Sequence, residues 1–318
     1  MTNAKKKAAT VKLSIILPTF RRPDGLKTAL LSLERQNLAN MDCEVIVVDN
    51  DPAASAKNYV QKLANTSELN IKYHHAPDPG VANARNMALE AARGRYLAFL
   101  DDDQEALENW VLELLETAQK YKAALVFGPC LAQIVSESKY QSYYKNYFSR
   151  YGEGLDTGLT AEVFGCGNSL IDTDLCKLPS PPFHPGTNET GGEDDLLYAA
   201  LTAQGVNIAW AKDAKVYEHV PQERSTPQYI KKRSFAFGQS PSEQCAETTP
   251  RDNLGVVKWM SIGVLQYCIY RPTSILTKLI GHPSYISYLA KAYEGAGKVL
   301  WFGRFSPKLY GQAALKDG

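Results

Sequence analysis

The chain has 318 residues, 44% hydrophobic and 22% charged, with a formal net charge of +1. That length holds one large domain, or one domain and an appendage, and the near-neutral balance excludes a global basic field of the kind that recruits nucleic acid. Six cysteines without a CxxC pair or zinc-ligand spacing exclude a zinc-ribbon scaffold.

Residues 1–11 are polar and Lys-rich and read as a disordered tail. The apolar run after it, 13–17, is too short for a signal-peptide core, which places the catalytic part in the cytoplasm. Cys43 and Cys130, beside apolar runs, read as buried free thiols and agree with a reducing compartment. Residues 12–17 predict a strand, punctuated by Pro18 and Pro23, and Asp24 can cap a helix carrying Leu26, Leu30 and Leu33 at helical spacing. A β-branched strand at 44–48 stops at Asp49-Asn50-Asp51-Pro52, and a helix at 55–63 and a strand at 70–74 follow. Pro77-Asp78-Pro79-Gly80 is a turn, and 81–93 reads as a helix ended by Gly94. The run Tyr96-Leu97-Ala98-Phe99-Leu100 predicts a buried strand, with Asp101-Asp102-Asp103 at its carboxyl end. Leu107, Val111, Leu114, Leu115 and Ala118 then share one helix face, and 125–127 is another strand. Four strand–helix alternations argue for an α/β fold, a mostly parallel sheet flanked by helices.

The second half is less regular. Residues 140–151 are aromatic and can form a helix over the site, 164–171 is strand-like, and Gly191-Gly192-Glu193-Asp194-Asp195 opens a helix. Short strands follow at 207–210 and 215–220. Gly295-x-Gly297 follows no clear strand and reads as close-packed helix or loop rather than a dinucleotide fingerprint.

Three acidic clusters sit at element ends. Open α/β sheets place ligands at strand carboxyl ends, and a divalent cation relieves repulsion among clustered carboxylates there. One acid would suffice as a helix cap, so three in Asp101, Asp102 and Asp103 point to a metal-diphosphate site. Asp49-Asn50-Asp51 can accept hydrogen bonds from a pyrimidine or a ribose, although Asp and Asn are also ordinary turn residues. Glu193-Asp194-Asp195, behind two glycines, offers a candidate general base or a helix cap. His219 is either packed on its strand or the partner of Asp103 at a metal.

These residues resemble a family-2 glycosyltransferase. The matching stretches are Ser14-Ile15-Ile16-Leu17-Pro18-Thr19-Phe20-Arg21-Arg22, Val45-Ile46-Val47-Val48-Asp49-Asn50, Gly80-Val81-Ala82-Asn83-Ala84-Arg85-Asn86, Gly94-Arg95 through Asp103, and Gly192-Glu193-Asp194-Asp195. They keep the family's order and approximate spacing over roughly residues 12–240. The resemblance implies the Rossmann-like nucleotide-diphospho-sugar transferase fold (GT-A) and an inverting mechanism. It implies that Thr19, Asp49, Asn50 and Asp51 flank the nucleoside, that Asp101 contacts the ribose side beside Asp102, and that Asp103 holds Mn²⁺ or Mg²⁺ on the diphosphate. It makes Asp194 the base, Glu193 the residue that positions the acceptor, and His219 a late metal ligand. Arg85 is either a helper at the departing diphosphate or an ordinary helix-surface arginine. The family often carries two consecutive acids after the second strand, and Asn50 departs from that pattern. The Gly-Gly-Glu-Asp-Asp context, and Glu-His-Val-Pro with Arg224, resemble bacterial enzymes of exopolysaccharide and cell-surface glycan synthesis.

The expected reaction moves a sugar from a nucleotide diphosphate, a UDP-sugar, to a hydroxyl of a glycan or lipid-linked saccharide. Two alternatives share parts of the pattern: a nucleotide-sugar-forming nucleotidyltransferase, whose glycine-rich basic loop is missing from Thr19-Phe20-Arg21-Arg22-Pro23, and a non-enzymatic sugar-binding module. The division expected is a catalytic domain at 12–240 and a helical C-terminal region at 241–318. For that region three readings stand: helices packed on the catalytic domain, a homodimer contact, or a segment in the inner face of the cell membrane. The run 255–270 is too short and too interrupted by Lys258 and Gln266 to span a bilayer.

Overall fold

The computed structural model describes residues 11–38, 41–135, 137–188, 191–305 and 307. The expected tail therefore lies outside the described residues, except for Val11, which opens the first strand. The chain forms two compact units, the first running to Leu131 and taking in Arg150–His219, the second made of Ala132–Ser149 and the chain from Val220. The second unit thus begins earlier than residue 241 and includes a segment from the middle of the chain.

In the first unit β1 (Val11–Thr19), α1 (Pro23–Glu34), β2 (Met41–Asp49), α2 (Lys57–Ala64), β3 (Asn70–His75), α3 (Val81–Ala91) and β4 (Tyr96–Phe99) alternate as the periodicity predicts. β5 (Gln104–Ala106), α4 (Trp110–Tyr121) and β6 (Leu125–Phe127) follow, and β7 (Cys130–Ile134) leads out of the unit. After α5 (Gln141–Phe148), which belongs to the second unit, come β8 (Gly158–Thr160), β9 (Ser169–Asp172), α6 (Glu193–Thr202), β10 (Ile208–Trp210) and β11 (Val216–Val220). The large sheet has the order β3-β2-β1-β4-β9-β6-β10-β8. β1 runs parallel to β2 and β4, β2 to β3, and β6 to β10, whereas β9 is antiparallel to β4 and β6 and β8 to β10. This is the mostly parallel, helix-flanked sheet that the strand–helix alternation predicts.

Both sheet faces are buried, which is why the strands are apolar nearly throughout. Ile15, Leu17, Val45 and Val47 pack with Leu26 and Leu30 of α1 and Leu114 of α4. Ile16, Ile46 and Val48 face the other way, with Ala84 and Ala88 of α3 and Leu197 and Leu201 of α6. Register pairs Thr19 with Asp49 and Ile16 with Phe99, so the carboxyl ends of β1, β2 and β4 lie side by side. The acidic turns thereby reach one edge of the sheet.

One predicted strand is shorter than its apolar run. Residues 164–168 are loop and the strand begins at Ser169, because Gly165 and Gly167 interrupt the run and Asn168 takes a left-handed φ of 62°. Cys43 is half-buried and Cys130 buried, and both are free.

In the second unit α7 (Pro227–Glu247), α8 (Asn253–Leu279) and α9 (Tyr285–Val299) approach closely at glycines. A Cβ on Gly297 would lie 2.1 Å from the Phe235 carbonyl oxygen, and one on Gly263 2.6 Å from that of Gly295. Gly295-x-Gly297 is thus close-packed helix, as its context predicts. α8 runs beyond the apolar stretch 255–270, through Arg271 and Pro272 to Leu279. No helix among the described residues is long and apolar enough to cross a membrane.

Candidate active site

The turn after β4 separates its three carboxylates. Asp102 turns inward: Thr19 Oγ1 (2.9 Å) and the Phe20 N–H (3.2 Å) donate to its Oδ2, and Arg22 Nη1 (2.9 Å) to its Oδ1. Burial pushes the Asp102 carboxyl up to about 6, against the opposing pull of Arg22. Arg22 Nη1 also donates to Asp103 Oδ2 at 2.8 Å. Burial alone would lower the Arg22 guanidinium, but Asp102 and Asp103 outweigh it and hold it above its usual range. The middle acid thus ties the end of β1 to the end of β4, and the flanking acids meet different partners.

Asp101 meets Arg85, whose Nη2 donates to its Oδ1 at 2.9 Å, while Nη1 of the same guanidinium donates to Glu193 Oε1. Arg85 is only 5% exposed, so the helix-surface reading gives way to a buried clamp. Its Nε has no hydrogen-bond partner among the described residues, and its guanidinium lies 5.6 Å from the centre of the Phe183 ring. Burial raises the Glu193 carboxyl above its ordinary range, with Arg85 pulling it down and Asp194 pushing it up. Gly191 and Gly192 adopt φ of 83° and 88°, a region that favours glycine, and they set the three acids on the first turn of α6. Asp194 Oδ2 accepts the Cys166 N–H at 2.9 Å and its Oδ1 the Asp195 N–H at 3.0 Å.

Arg150, and the contacts made by the loop that supplies Cys166, are parts of the site that sequence reasoning did not assign. A Cβ on Gly167 would stand 2.4 Å from Asp101 Oδ2, and one on Gly165 2.6 Å from Arg150 Nη1 and 3.3 Å from Asp194 Oδ2. A side chain at either position would have to displace these groups. Arg150 Nη2 donates to the Gly167 carbonyl at 2.6 Å and lies 2.6 Å from Cys130 Sγ. Asn168 accepts from Trp110 Nε1 (2.7 Å) and donates to the carbonyls of Pro129 (2.8 Å) and Ala214 (2.7 Å), which anchors the loop below. Burial pushes the Cys130 and Cys166 thiols up to about 12, so both stay protonated and inert. The available signal was Gly-Cys-Gly-Asn inside an apolar run, where paired glycines mark close backbone approach.

The turn after β2 is buried and largely committed to backbone. Asp49 accepts from the N–H groups of Asp51 (3.0 Å) and Ala56 (2.8 Å) and from Tyr73 Oη (3.2 Å). The Asn50 amide donates to the Ala76 and Asp78 carbonyls, each at 2.8 Å, and accepts the Gly80 N–H at 2.6 Å. An amide supplies both donors and an acceptor where a carboxylate could only accept, so Asn50 pins the turn that feeds α3 and Arg85. Asp51 pairs with Arg21 Nε at 3.1 Å. Burial would raise the Asp51 carboxyl, but hydrogen bonds from Ser55, the Ala53 N–H and Arg21 outweigh it and hold it below its ordinary range.

His219 and Asp103 meet through backbone, the His219 N–H donating to the Asp103 carbonyl at 2.8 Å. The His219 imidazole lies 3.2 Å from Glu105 Oε2 and is partly exposed. Among the described residues no group of three or more His, Cys, Asp or Glu side chains is arranged to hold a metal ion. The side chains of Asp103 and His219 take different partners, Arg22 and Glu105, so an ion at this place would need a substrate diphosphate and water for most of its ligands.

Residues 14–177 match the family model described as Glycosyl transferase family 2. The chain is 32% identical over 247 residues to the succinoglycan biosynthesis protein ExoM of Rhizobium meliloti, covering 75% of this chain and 76% of that protein. It is 35% identical over 127 residues to the GalNAc(5)-diNAcBac-PP-undecaprenol beta-1,3-glucosyltransferase of Campylobacter jejuni, covering 38% and 39% of the two chains. The fold is similar to that of S. aureus TarS 1–349, solved in complex with UDP-GlcNAc: TM-score 0.51, 17% identity, 91% of this chain and 90% of that one covered. At that identity the likeness speaks for a shared fold.

Proposed function

Because this chain belongs to glycosyl transferase family 2 and is a glycosyltransferase, we propose that it moves a sugar from a UDP-sugar to a hydroxyl of a glycan or lipid-linked saccharide, with inversion at the anomeric carbon. The observation that carries this reading is the Arg85 clamp on Asp101 and Glu193, which sets the first turn of α6 beside the acidic turn after β4. Asp194 is then held by the Cys166 N–H next to the place where a donor would lie.

The acceptor oxygen attacks the anomeric carbon on the face opposite the nucleotide, its proton passes to Asp194, and the bond to the diphosphate oxygen breaks. Such a base contributes ~10²–10⁴-fold. Glu193, fixed by Arg85, positions the acceptor. Thr19 and Asp51 line the nucleoside side, and Asp49 and Asn50 shape it through backbone. Asp101 faces the ribose, with Asp102 holding the turn. Asp103 and His219 would hold Mn²⁺ or Mg²⁺, which when bound neutralises charge on the leaving diphosphate. Arg22 already sits on Asp103 and can add to that neutralisation.

The names of the Rhizobium and Campylobacter relatives support a role in bacterial polysaccharide synthesis and an acceptor carried on a lipid diphosphate. An acceptor of that kind sets the reaction at the inner face of the cell membrane. Incubation with UDP-, GDP- and dTDP-sugars tests the donor, with UDP-sugar hydrolysis expected to exceed the others. NMR of the product should show the anomer opposite to the donor's. Retention of configuration, or release of pyrophosphate from a sugar phosphate and a nucleoside triphosphate, would refute the reading.

A further inference from the structure

A long apolar face on α8 is left exposed among the described residues. Leu254, Leu265, Ile269, Leu276 and Leu279 are 85%, 62%, 51%, 60% and 79% exposed. Their spacings of eleven, four, seven and three residues place them on one side of the helix. A helix of 27 residues carries such a stripe for about 40 Å. Lys258 interrupts the stripe between Leu254 and Leu265, and soluble surfaces rarely leave an apolar strip such as the remaining stretch from Leu265 to Leu279 uncovered. On the opposite side α8 buries Val256, Gly263 and Ser274, and Gly263 meets Gly295 of α9. The packed side is therefore small and close, and the open side large and branched.

Charge decides what covers it. Residues 253–280 contain no Asp or Glu and three cations, Lys258, Arg271 and Lys278. The nearest acid, Asp252, caps the helix by accepting the Gly255 N–H. Lys258 lies over the ring of Trp259, Lys278 over Tyr285, and Lys291 of α9 over Tyr270. A second copy fits poorly. Two α8 helices packed on each other would offer no acid in either helix to pair with the other's Lys258, Arg271 and Lys278. An anionic bilayer surface meets both demands, taking the apolar stripe between acyl chains and the cations among headgroups.

We propose that α8 is a docking helix that lies in the plane of an anionic membrane surface with Leu254, Leu265, Ile269, Leu276 and Leu279 inserted. The inference deepens the proposed lipid-linked acceptor by naming the surface that meets the membrane, but it stands on the helix and not on the transfer reaction.

The test uses the full chain and its double variant Leu265→Glu/Leu276→Glu, both substitutions at exposed positions, with circular dichroism to verify folding. Co-sedimentation is measured with phosphatidylcholine vesicles and with vesicles containing phosphatidylglycerol. The wild type should pellet with the anionic vesicles, less so at high salt, and partitioning should fall on the order of tenfold for each substitution. Wild-type protein that stays in the supernatant, or a variant that pellets equally, overturns the proposal. So does a wild-type dimer in light scattering that the variant loses, because the face would then bind a second copy. UDP-sugar hydrolysis without vesicles is read in parallel and should be equal in the two proteins. Wild-type protein that fails to dock while hydrolysing a UDP-sugar rejects this inference alone, and wild-type protein that docks without hydrolysing one rejects only the transferase reading.

Discussion

Cys166 lends its backbone N–H, and not its thiol, to Oδ2 of Asp194 at 2.9 Å. The loop that carries it passes Asp101 so closely that a side chain at Gly167 would have to displace the Asp101 carboxylate. One short segment therefore touches the donor-side acid and the proposed base together.

Gly167→Ala tests that coupling. The new methyl would displace Asp101 Oδ2, and a misplacement of about 1 Å can cost on the order of 10²-fold in rate. UDP-sugar affinity and turnover should both fall, with little loss of thermal stability. Gly303→Ala, where the new Cβ meets nothing within 4 Å, is the control and should behave as wild type.

The Arg85 clamp gives a second expectation. Arg85→Gln leaves Glu193 and Asp101 without their shared cation, and breaking a buried pair costs about 3–5 kcal/mol. Denaturant titration should show this loss. Arg85→Lys keeps a charge but cannot bridge two carboxylates in a fixed fork. It should recover part of the stability and little of the turnover. Full activity in Arg85→Lys would reduce Arg85 to a point charge.

Much of this site could be read before the structure, for identifiable reasons. An apolar strand ending in Asp101-Asp102-Asp103 and two glycines ahead of Glu193 are local patterns, and local patterns survive in sequence. The division of labour among the three Asp residues was not readable, because Asp102 turns inward only when β1 delivers Thr19 and Arg22 beside it. Arg85 lay between two readings for the same reason: its burial depends on α6, remote in the chain. Asn50 stood out as a departure from the family's acid pair, and the amide's two donors to Ala76 and Asp78 supply a physical reason for it. Arg150 and the contacts of the loop at 165–168 went unread because the loop's contributions are a carbonyl, an N–H and missing Cβ atoms, which residue identity barely records. α8 was cut short because Arg271 and Pro272 interrupt the apolar run without ending the helix.

The proposed metal would have too few protein ligands in Asp103 and His219 to be held without a diphosphate. Titration calorimetry should find weak binding of Mn²⁺ to the protein by itself and much tighter binding with UDP present. Asp103→Ala should lose that enhancement, and EDTA should abolish transfer. Transfer unaffected by EDTA would remove the metal from this account.

The central claim is that Asp194 takes the acceptor's proton. Asp194→Asn preserves size and can still accept the Cys166 N–H through its amide oxygen. Single-turnover transfer and UDP-sugar affinity, measured on the same preparation, test it most directly. The expected result is a fall in transfer of ~10²–10⁴-fold with donor affinity nearly unchanged. Turnover within about tenfold of wild type would contradict the assignment and move the base to another carboxylate of the α6 first turn.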